Sequence, residues 1–355
     1  MLSTYYKLIT LTTLFFSSFC VSQYTDQINS NRPGYSIGAF SVGKGVVQFE
    51  TGIELRRYEH YSFNKSTSKG TVGFLSIRWG FLKEQLELTF DGIFMSDKFT
   101  NNLLEVPGAE KRSGFLKNFL GVKYLFFNPY KRVVEPNNYS WKANHGFKLR
   151  NLLPAISITL GANYDPSAEN PYAYGDIFSP LYDPLFYNNL YNVLPIPAPL
   201  TLSGTLATQS HLLETWVLVT NFSMNGYLSD FPQKSFIITL THTFNPFWSV
   251  YIENHKIMSE RYSDNIYRAG AAYLFTDNIQ LEGSLAANSK TTPDFFSLNG
   301  GISYRLDFHK DYKNPFKIAK KKEKKKLKDE KKAARKDRKE NKKRDKRAKK
   351  KPKKN

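Results

Sequence analysis

The stretch FSLNGGISYRLDF, residues 296–308, decides the fold class. Its large apolar residues, beginning with Phe296 and Leu298, alternate with small or polar residues along almost the whole run. Residues two apart share one face of a β-strand, whereas an α-helix would scatter them around its axis. The stretch therefore predicts a strand with one apolar face and one polar face.

The same alternation recurs between residues 45 and 308. The first such segment sets Val47, Phe49 and Ile53 against Gln48 and Glu50. Tight turns and longer links alternate between the segments, except at 128–150 and 229–232, as in an up-and-down arrangement of strands. The pattern predicts twelve strands, near residues 45–57, 70–82, 85–97, 114–127, 151–164, 199–210, 214–228, 233–244, 247–258, 265–276, 278–288 and 295–308.

Composition and charge narrow the class of protein. The chain has 355 residues, of which 41% are hydrophobic and 15% aromatic. It has no apolar run of about 18 residues, which excludes a bundle of transmembrane helices. The net charge of +20 is concentrated in residues 309–355, which hold 26 basic and 7 acidic residues. The chain is thus a near-neutral body with a strongly basic tail.

The N-terminal sequence is typical of an exported protein. Lys7 precedes an apolar run that ends at Val21, and the small residue Ser22 follows. This pattern predicts a signal peptide over residues 1–22, followed by a periplasmic leader over 23–44. The single cysteine, Cys20, lies within the signal, so we expect the mature chain to contain no cysteine and no disulfide.

Alternation alone leaves two architectures open. A secreted β-sandwich would turn its apolar faces inward, whereas a transmembrane barrel would turn them toward lipid. Aromatic residues flank the tight turns, as Trp79 and Trp248 do, and Tyr58 and Phe295 lie at the opposite strand ends. Such girdles are typical of barrels in the outer membrane of Gram-negative bacteria. We therefore predict an all-β, up-and-down antiparallel transmembrane β-barrel of about 12 strands over residues 45–308, surrounded by outer-membrane lipid.

Several short motifs recur along the predicted strands, among them a G-x-x-Q-x-E-x-G first strand and a G-x-K-Y strand. The positions that carry them are Asn31 to Gly34, Gly45, Gln48, Glu50, Gly52, Arg78 to Gly80, Glu87, Gly121, Lys123, Tyr124, Glu253, Asn278, Gln280 to Glu282, Gly301, Ser303 and Arg305. These motifs resemble those of a known family of outer-membrane barrels, the one filed under the meta-pathway of phenol degradation, although Glu282 stands where Asp is usual. Members are often called transporters, so the resemblance implies a barrel with a transport role.

The polar faces of the predicted strands carry the candidate functional residues. In a barrel they would line the lumen, either as a salt-bridged hydrated wall or as a polar conduction path, and both interpretations stay open. A barrel of this size would have a narrow lumen, which the loop over 165–198 could plug. The predicted lumen-lining residues are Glu50, Glu54, Arg56, Arg78, Glu87, Asp91, Lys117, Lys123, Glu253, Arg268, Glu282, Arg305 and Asp307.

Catalytic motifs are weak. Residues 34–38 fit G-x-S-x-G, but no strand, sharp turn and helix surround Ser36 as a nucleophile elbow requires. The six histidines show no metal-ligand spacing. We therefore predict no catalytic, cofactor-binding or metal-binding residues and no enzymatic activity.

The basic tail, residues 309–355, has too few apolar residues to form a core, so disorder or an isolated charged helix is expected. Export argues against nucleic acid as its partner. One hypothesis is that the tail binds an anionic periplasmic surface such as the cell wall, and a merely solvated tail is the alternative. Two functions follow: a transporter or channel for small molecules of unknown identity, or a non-conducting structural barrel anchored through the tail to the cell wall or lipid.

Overall fold

The computed structural model describes residues 27–32, 34–103, 108–131, 152–165, 167, 170–172, 174–181, 197–212 and 215–308. The predicted signal peptide, the basic tail, most of the link 128–150 and residues 182–196 of the link 165–198 lie outside the described residues. Within the described part of the chain, no helix is long and apolar enough to cross a bilayer.

Twelve strands form the structure, each antiparallel to its neighbours, and the first pairs with the last to close a barrel. The predicted twelve-strand antiparallel barrel is thereby confirmed. The strands are β1 Val46–His60, β2 Ser66–Gly80, β3 Leu86–Asn101, β4 Gly108–Phe127, β5 Ala155–Tyr164, β6 Leu200–Leu212, β7 Trp216–Tyr227, β8 Gln233–Thr243, β9 Trp248–Met258, β10 Asp264–Thr276, β11 Ile279–Asn288 and β12 Asp294–Asp307.

The outer face of the barrel is apolar. The side chains of Ile53, Leu160 and Ile252 point outward and are 59%, 63% and 62% exposed. A β-sandwich would bury such residues between its sheets, whereas a transmembrane barrel presents them to lipid. The exposed band therefore decides for the transmembrane barrel.

Aromatic side chains gather at the end of the barrel that carries the tight turns. Trp248 packs on Tyr273 with ring centroids 4.8 Å apart, and Trp79 packs on Phe81 at 5.5 Å. At the other end, Tyr58 and Phe295 were expected to belong to an aromatic girdle, and this prediction is wrong. Both are buried and face the interior. Each lies an even number of residues from the polar residues of its strand and therefore shares their inward face, which we refer to as having the same parity.

The first four strands are longer than a bilayer crossing requires. They have 15, 15, 16 and 20 residues, whereas about 9–11 residues of tilted strand suffice. The links expected over 58–69 and 98–113 are correspondingly shorter, since β1 continues to His60 and β4 already begins at Gly108. The extra length projects beyond the apolar band on the side opposite the tight turns.

Candidate functional site

The segment preceding β1 lies inside the barrel. The Ile28 amide donates to the Asp277 carbonyl at the β10–β11 turn, over 2.8 Å. Further along, the Tyr35 hydroxyl donates to Glu54 Oε2 over 2.8 Å, and the Val42 amide then donates to Glu87 Oε2, also over 2.8 Å. The segment thus rises from the tight-turn end to the level of Glu54 and returns. We call residues 28–42 the plug.

Side chains of the wall hold the backbone of the plug. Glu253 accepts hydrogen bonds from the amides of Tyr35 and Ser36 at 3.0–3.2 Å. The Ile37 amide donates to Asn221 Oδ1 over 2.6 Å. The plug is not a strand of the sheet, so its buried amides need other acceptors. Inward carboxylates and amides supply them.

Arg78 joins the two limbs of the plug. Its guanidinium donates to the carbonyls of Asn29 and Phe40, over 2.8 and 3.1 Å, and to Glu87 Oε1 over 2.8 Å. The five N–H donors of a guanidinium form a fixed fork that suits such multiple contacts. Lys123 adds a further hydrogen bond to the Phe40 carbonyl over 2.8 Å.

A glycine pair on the inner wall makes room for the ring of Phe74, on which a plug residue stacks. Gly52 of β1 lies opposite Gly301 of β12, and both belong to the inward-facing set. A Cβ atom at Gly52 would lie 2.6 Å from the ring of Phe74, so that ring lies directly over the glycine. The guanidinium of Arg32 in turn stacks on Phe74, 3.9 Å from the ring centroid.

The opposite end of the barrel is covered by the described part of the loop that was predicted as a plug. Tyr172 and Phe178 are buried against inward residues of β2 and β3, Met95 among them. The Tyr172 hydroxyl donates to Asp97 Oδ1 over 2.6 Å, and burial together with this carboxylate raises the pKa of Tyr172. Arg112 pairs with Asp97 and also donates to the loop. We call residues 170–181 the lid segment.

Two cavities flank the plug. One, of about 370 Å³, lies toward the lid segment and is lined by Arg56, Asp91 and Lys117 among others. The other, of about 300 Å³, lies toward the tight-turn end and is lined by Thr241 and Gln280 among others. The plug residues Asn31, Arg32, Gly34 and Ser36 contribute to both linings. The plug therefore forms the partition between the two cavities.

The thirteen residues predicted to line the lumen all come from strands, and most carry ion pairs. Arg268 pairs with Glu253 at 2.6 Å, and Lys117 pairs with Asp91 at 2.8 Å. Arg56, Asp91 and Lys117 are partly buried, and Asp307, at the end of β12, is exposed. Nine are buried, namely Glu50, Glu54, Arg78, Glu87, Lys123, Glu253, Arg268, Glu282 and Arg305. That these side chains line a water-filled path stays a prediction.

Sequence reasoning missed several contacts of the site. Gln209 and Asn221 bind the plug through their amide oxygens, and Asp97 with Arg112 binds the lid segment. The alternation along β6 and β7 could have identified Gln209 and Asn221, since both occupy inward positions. Among the described residues, no group of three or more His, Cys, Asp or Glu side chains could hold a metal ion.

A closed barrel with an apolar outer face, a charged interior and an internal N-terminal segment defines a plugged transmembrane β-barrel. The chain belongs to the family described as "Putative MetA-pathway of phenol degradation", whose model matches residues 30–177 and 200–306. The resemblance inferred from the strand motifs is thus confirmed.

Comparison with other proteins adds several similarities. No curated protein matches the sequence. An outer-membrane channel from Pseudomonas putida F1 is 13% identical, with 79% of this chain and 100% of that chain covered and a TM-score of 0.45. The transport unit of the autotransporter AIDA-I from Escherichia coli is 13% identical, with coverages of 83% and 96% and a TM-score of 0.43. A mutant of the monoaromatic hydrocarbon channel TodX is 9% identical, with coverages of 76% and 92% and a TM-score of 0.43.

Proposed function

We propose that this protein is a gated channel for small molecules in the bacterial outer membrane. The observation that carries the proposal is the plug, which separates cavities of about 370 and 300 Å³ inside one closed barrel. Spaces of roughly this size accommodate small ligands. A solute crosses from one cavity to the other only when the plug moves.

The way in which the plug is held suits a gate. Most of its contacts to the wall are hydrogen bonds between plug backbone and wall side chains, such as those to Glu253 and Asn221. Such bonds can be exchanged for bonds to water when the segment shifts, because water can serve both partners. The barrel itself is closed by main-chain pairing between β1 and β12 and does not need the plug for closure.

Conductance in planar bilayers tests the proposal. We expect a variant lacking residues 23–42 to give steady currents, and the mature chain to give smaller or intermittent currents. A folded deletion variant without any current would contradict the channel and favour the non-conducting structural barrel. Folding is checked by heat-modifiable migration on gels.

We also propose that residues 309–355 tether the barrel to an anionic periplasmic surface such as the cell wall. The support is the tail's 26 basic against 7 acidic residues, since each basic residue near an anionic surface contributes about 1 kcal/mol. Deletion of residues 316–355 should release the protein from isolated cell wall in a salt-dependent pull-down. Unchanged retention would contradict the tether.

A further inference from the structure

Four basic residues form a row across adjacent strands on the outside of the barrel. Arg57 of β1 lies opposite Lys69 of β2, Lys69 lies opposite Lys98 of β3, and Lys98 lies opposite Lys111 of β4. All four side chains are exposed. Strands are spaced by roughly 4.8 Å, so the row spans about 14 Å. We call these four residues the basic row.

The basic row places four positive charges side by side, and this arrangement does not stabilise the barrel itself. Like charges directly opposite each other on neighbouring strands are destabilising. Arg57 pairs with Glu59 at 2.6 Å. No carboxylate of the described residues forms an ion pair with Lys69, Lys98 or Lys111. Three adjacent lysines thus face outward without an anionic partner from the described part of the chain.

The height of the row places it at a membrane surface. Trp79, in the aromatic girdle of the tight-turn end, lies ten residues along β2 from Lys69. Ten residues of strand at the usual tilt rise roughly 25 Å, which is the height of the apolar band of such barrels. The row therefore lies at the interface opposite the tight turns, where outer-membrane barrels meet the outer leaflet.

An open groove accompanies the row. It has a volume of about 660 Å³ and is lined by the four basic residues together with Leu55, Phe296 and Leu298. The apolar residues lie on the β1–β12 side of the groove. A partner that fits this surface has several negative charges beside an apolar portion.

Other outward cations at this end lack such an arrangement. Lys234 of β8 lies opposite Met224 and Met258, and Lys256 of β9 lies opposite Phe236 and Asn265. Among the described residues, the clustering is thus confined to β1–β4. It is not a general property of the rim.

We propose that the basic row and its groove bind the headgroup of a phosphorylated glycolipid of the outer leaflet, with the acyl chains lying along Leu55, Phe296 and Leu298. Phosphate groups are favourable partners of clustered lysine and arginine side chains. The width of the row favours a headgroup with two separated phosphates over one with a single phosphate. This site is independent of conduction through the barrel.

Native mass spectrometry of the full mature chain tests the site, with synthetic bis-phosphorylated lipid A as the probe. We expect the wild-type chain to bind it at least tenfold more tightly than the same lipid without phosphates. Equal affinity for the two lipids would overturn the proposal, and this comparison needs no variant. Displacement of the lipid by an equal concentration of inorganic phosphate would also overturn it, because the lipid would then contribute nothing.

Variants locate the binding surface. The quadruple variant Arg57→Gln, Lys69→Gln, Lys98→Gln, Lys111→Gln should bind lipid A at least tenfold more weakly. The matched control, Lys234→Gln with Lys256→Gln, removes two outward cations from the same end and should stay within twofold of wild type. A folded quadruple variant with unchanged affinity would overturn the assignment, as would an equal loss in the control.

Discussion

Arg78 shows how a single residue links wall and plug. It is 1% exposed and bonds to Glu87, to Glu50 and to two plug carbonyls. A charge this deeply buried is tolerated because every side of the guanidinium has a partner. Loss of the side chain would leave buried Glu87 with one cation, Lys123 at 3.9 Å, and with the hydrogen bond from the Val42 amide.

We predict that Arg78→Ala lowers the free energy of unfolding by about 3–5 kcal/mol, because it strands buried carboxylates. Urea unfolding in lipid vesicles measures the change. Arg57→Ala is the control, since its ion pair with Glu59 is exposed on the arginine side and should contribute about 1 kcal/mol or less. Similar small losses in both variants would contradict the buried network.

Gly52 offers a second prediction at this scale. A Cβ atom there would lie 2.3 Å from the Gly300 carbonyl oxygen, which belongs to the backbone and cannot move without shifting the sheet. Gly52→Ala should therefore cost about 1–3 kcal/mol in the same unfolding assay. Gly73→Ala, on neighbouring β2, meets nothing within 4 Å and should be close to neutral. Equal losses of unfolding free energy in the two variants would show that the inner wall can accommodate a Cβ atom at Gly52, and would contradict the prediction.

At the scale of elements, the alternation of apolar and polar residues located the strands well. The predicted strand 199–210 is Leu200–Leu212, and 265–276 is Asp264–Thr276. The largest departure is β4, which begins at Gly108 and not at 114, while β2 begins at Ser66 and not at 70, and β5 at Ala155 and not at 151. In β4, the strand is polar on both faces around Lys111 and Arg112, because this part projects beyond the apolar band. Main-chain pairing continues there without the apolar signal.

Parity assigns side chains to the inside or outside, and it was the signal overlooked for Tyr58. This residue has the parity of Glu54 and Arg56, so it had to face inward wherever β1 continued past residue 57. The side chain packs on Phe295, with ring centroids 4.8 Å apart. The aromatic character of Tyr58 suggested a place in the girdle, whereas its position along β1 determines which face of the sheet it occupies.

The lid segment gives a prediction for an element. Tyr172→Phe removes the hydrogen bond to Asp97, and a bond to a charged group contributes about 1.5–3 kcal/mol. Amides of residues 170–181 should then exchange hydrogen at least about tenfold faster, since every 1.4 kcal/mol is a factor of ten. The control is Tyr164→Phe, on an exposed ring of β5. Unchanged exchange in Tyr172→Phe would show that the bond does not hold the segment.

The raised pKa of Tyr172 predicts how the lid segment responds to alkali. The folded chain holds this proton more tightly than the unfolded chain, whose tyrosine pKa is about 10. The protonated Tyr172 therefore stabilises the folded chain fully below about pH 10, and this contribution is lost as the pH rises through the pKa of Tyr172 in the folded chain. The tyrosinate absorbance difference between wild type and Tyr172→Phe should have its midpoint above pH 10. A midpoint near 10 would contradict the buried hydrogen bond.

At the scale of the whole molecule, the plug is what the sequence did not predict. Residues 28–42 show neither strand nor helix periodicity, so they read as a leader outside the barrel. Their position depends on acceptors from distant strands, such as Glu253 of β9 and Gln209 of β6. No local pattern encodes partners so far apart in sequence. The charged inner wall, by contrast, follows from strand alternation alone.

Movement of the plug is the central claim, and a reversible crosslink tests it most directly. Ser30 Oγ of the plug lies 2.8 Å from Ser303 Oγ of β12, and the mature chain is predicted to contain no other cysteine. For Ser30→Cys with Ser303→Cys, we predict that oxidation abolishes the conductance of the mature chain in planar bilayers and that reduction restores it. The single variant Ser303→Cys should not respond to either treatment. An oxidised, crosslinked barrel that conducts as well as the reduced one would contradict the plug as the gate.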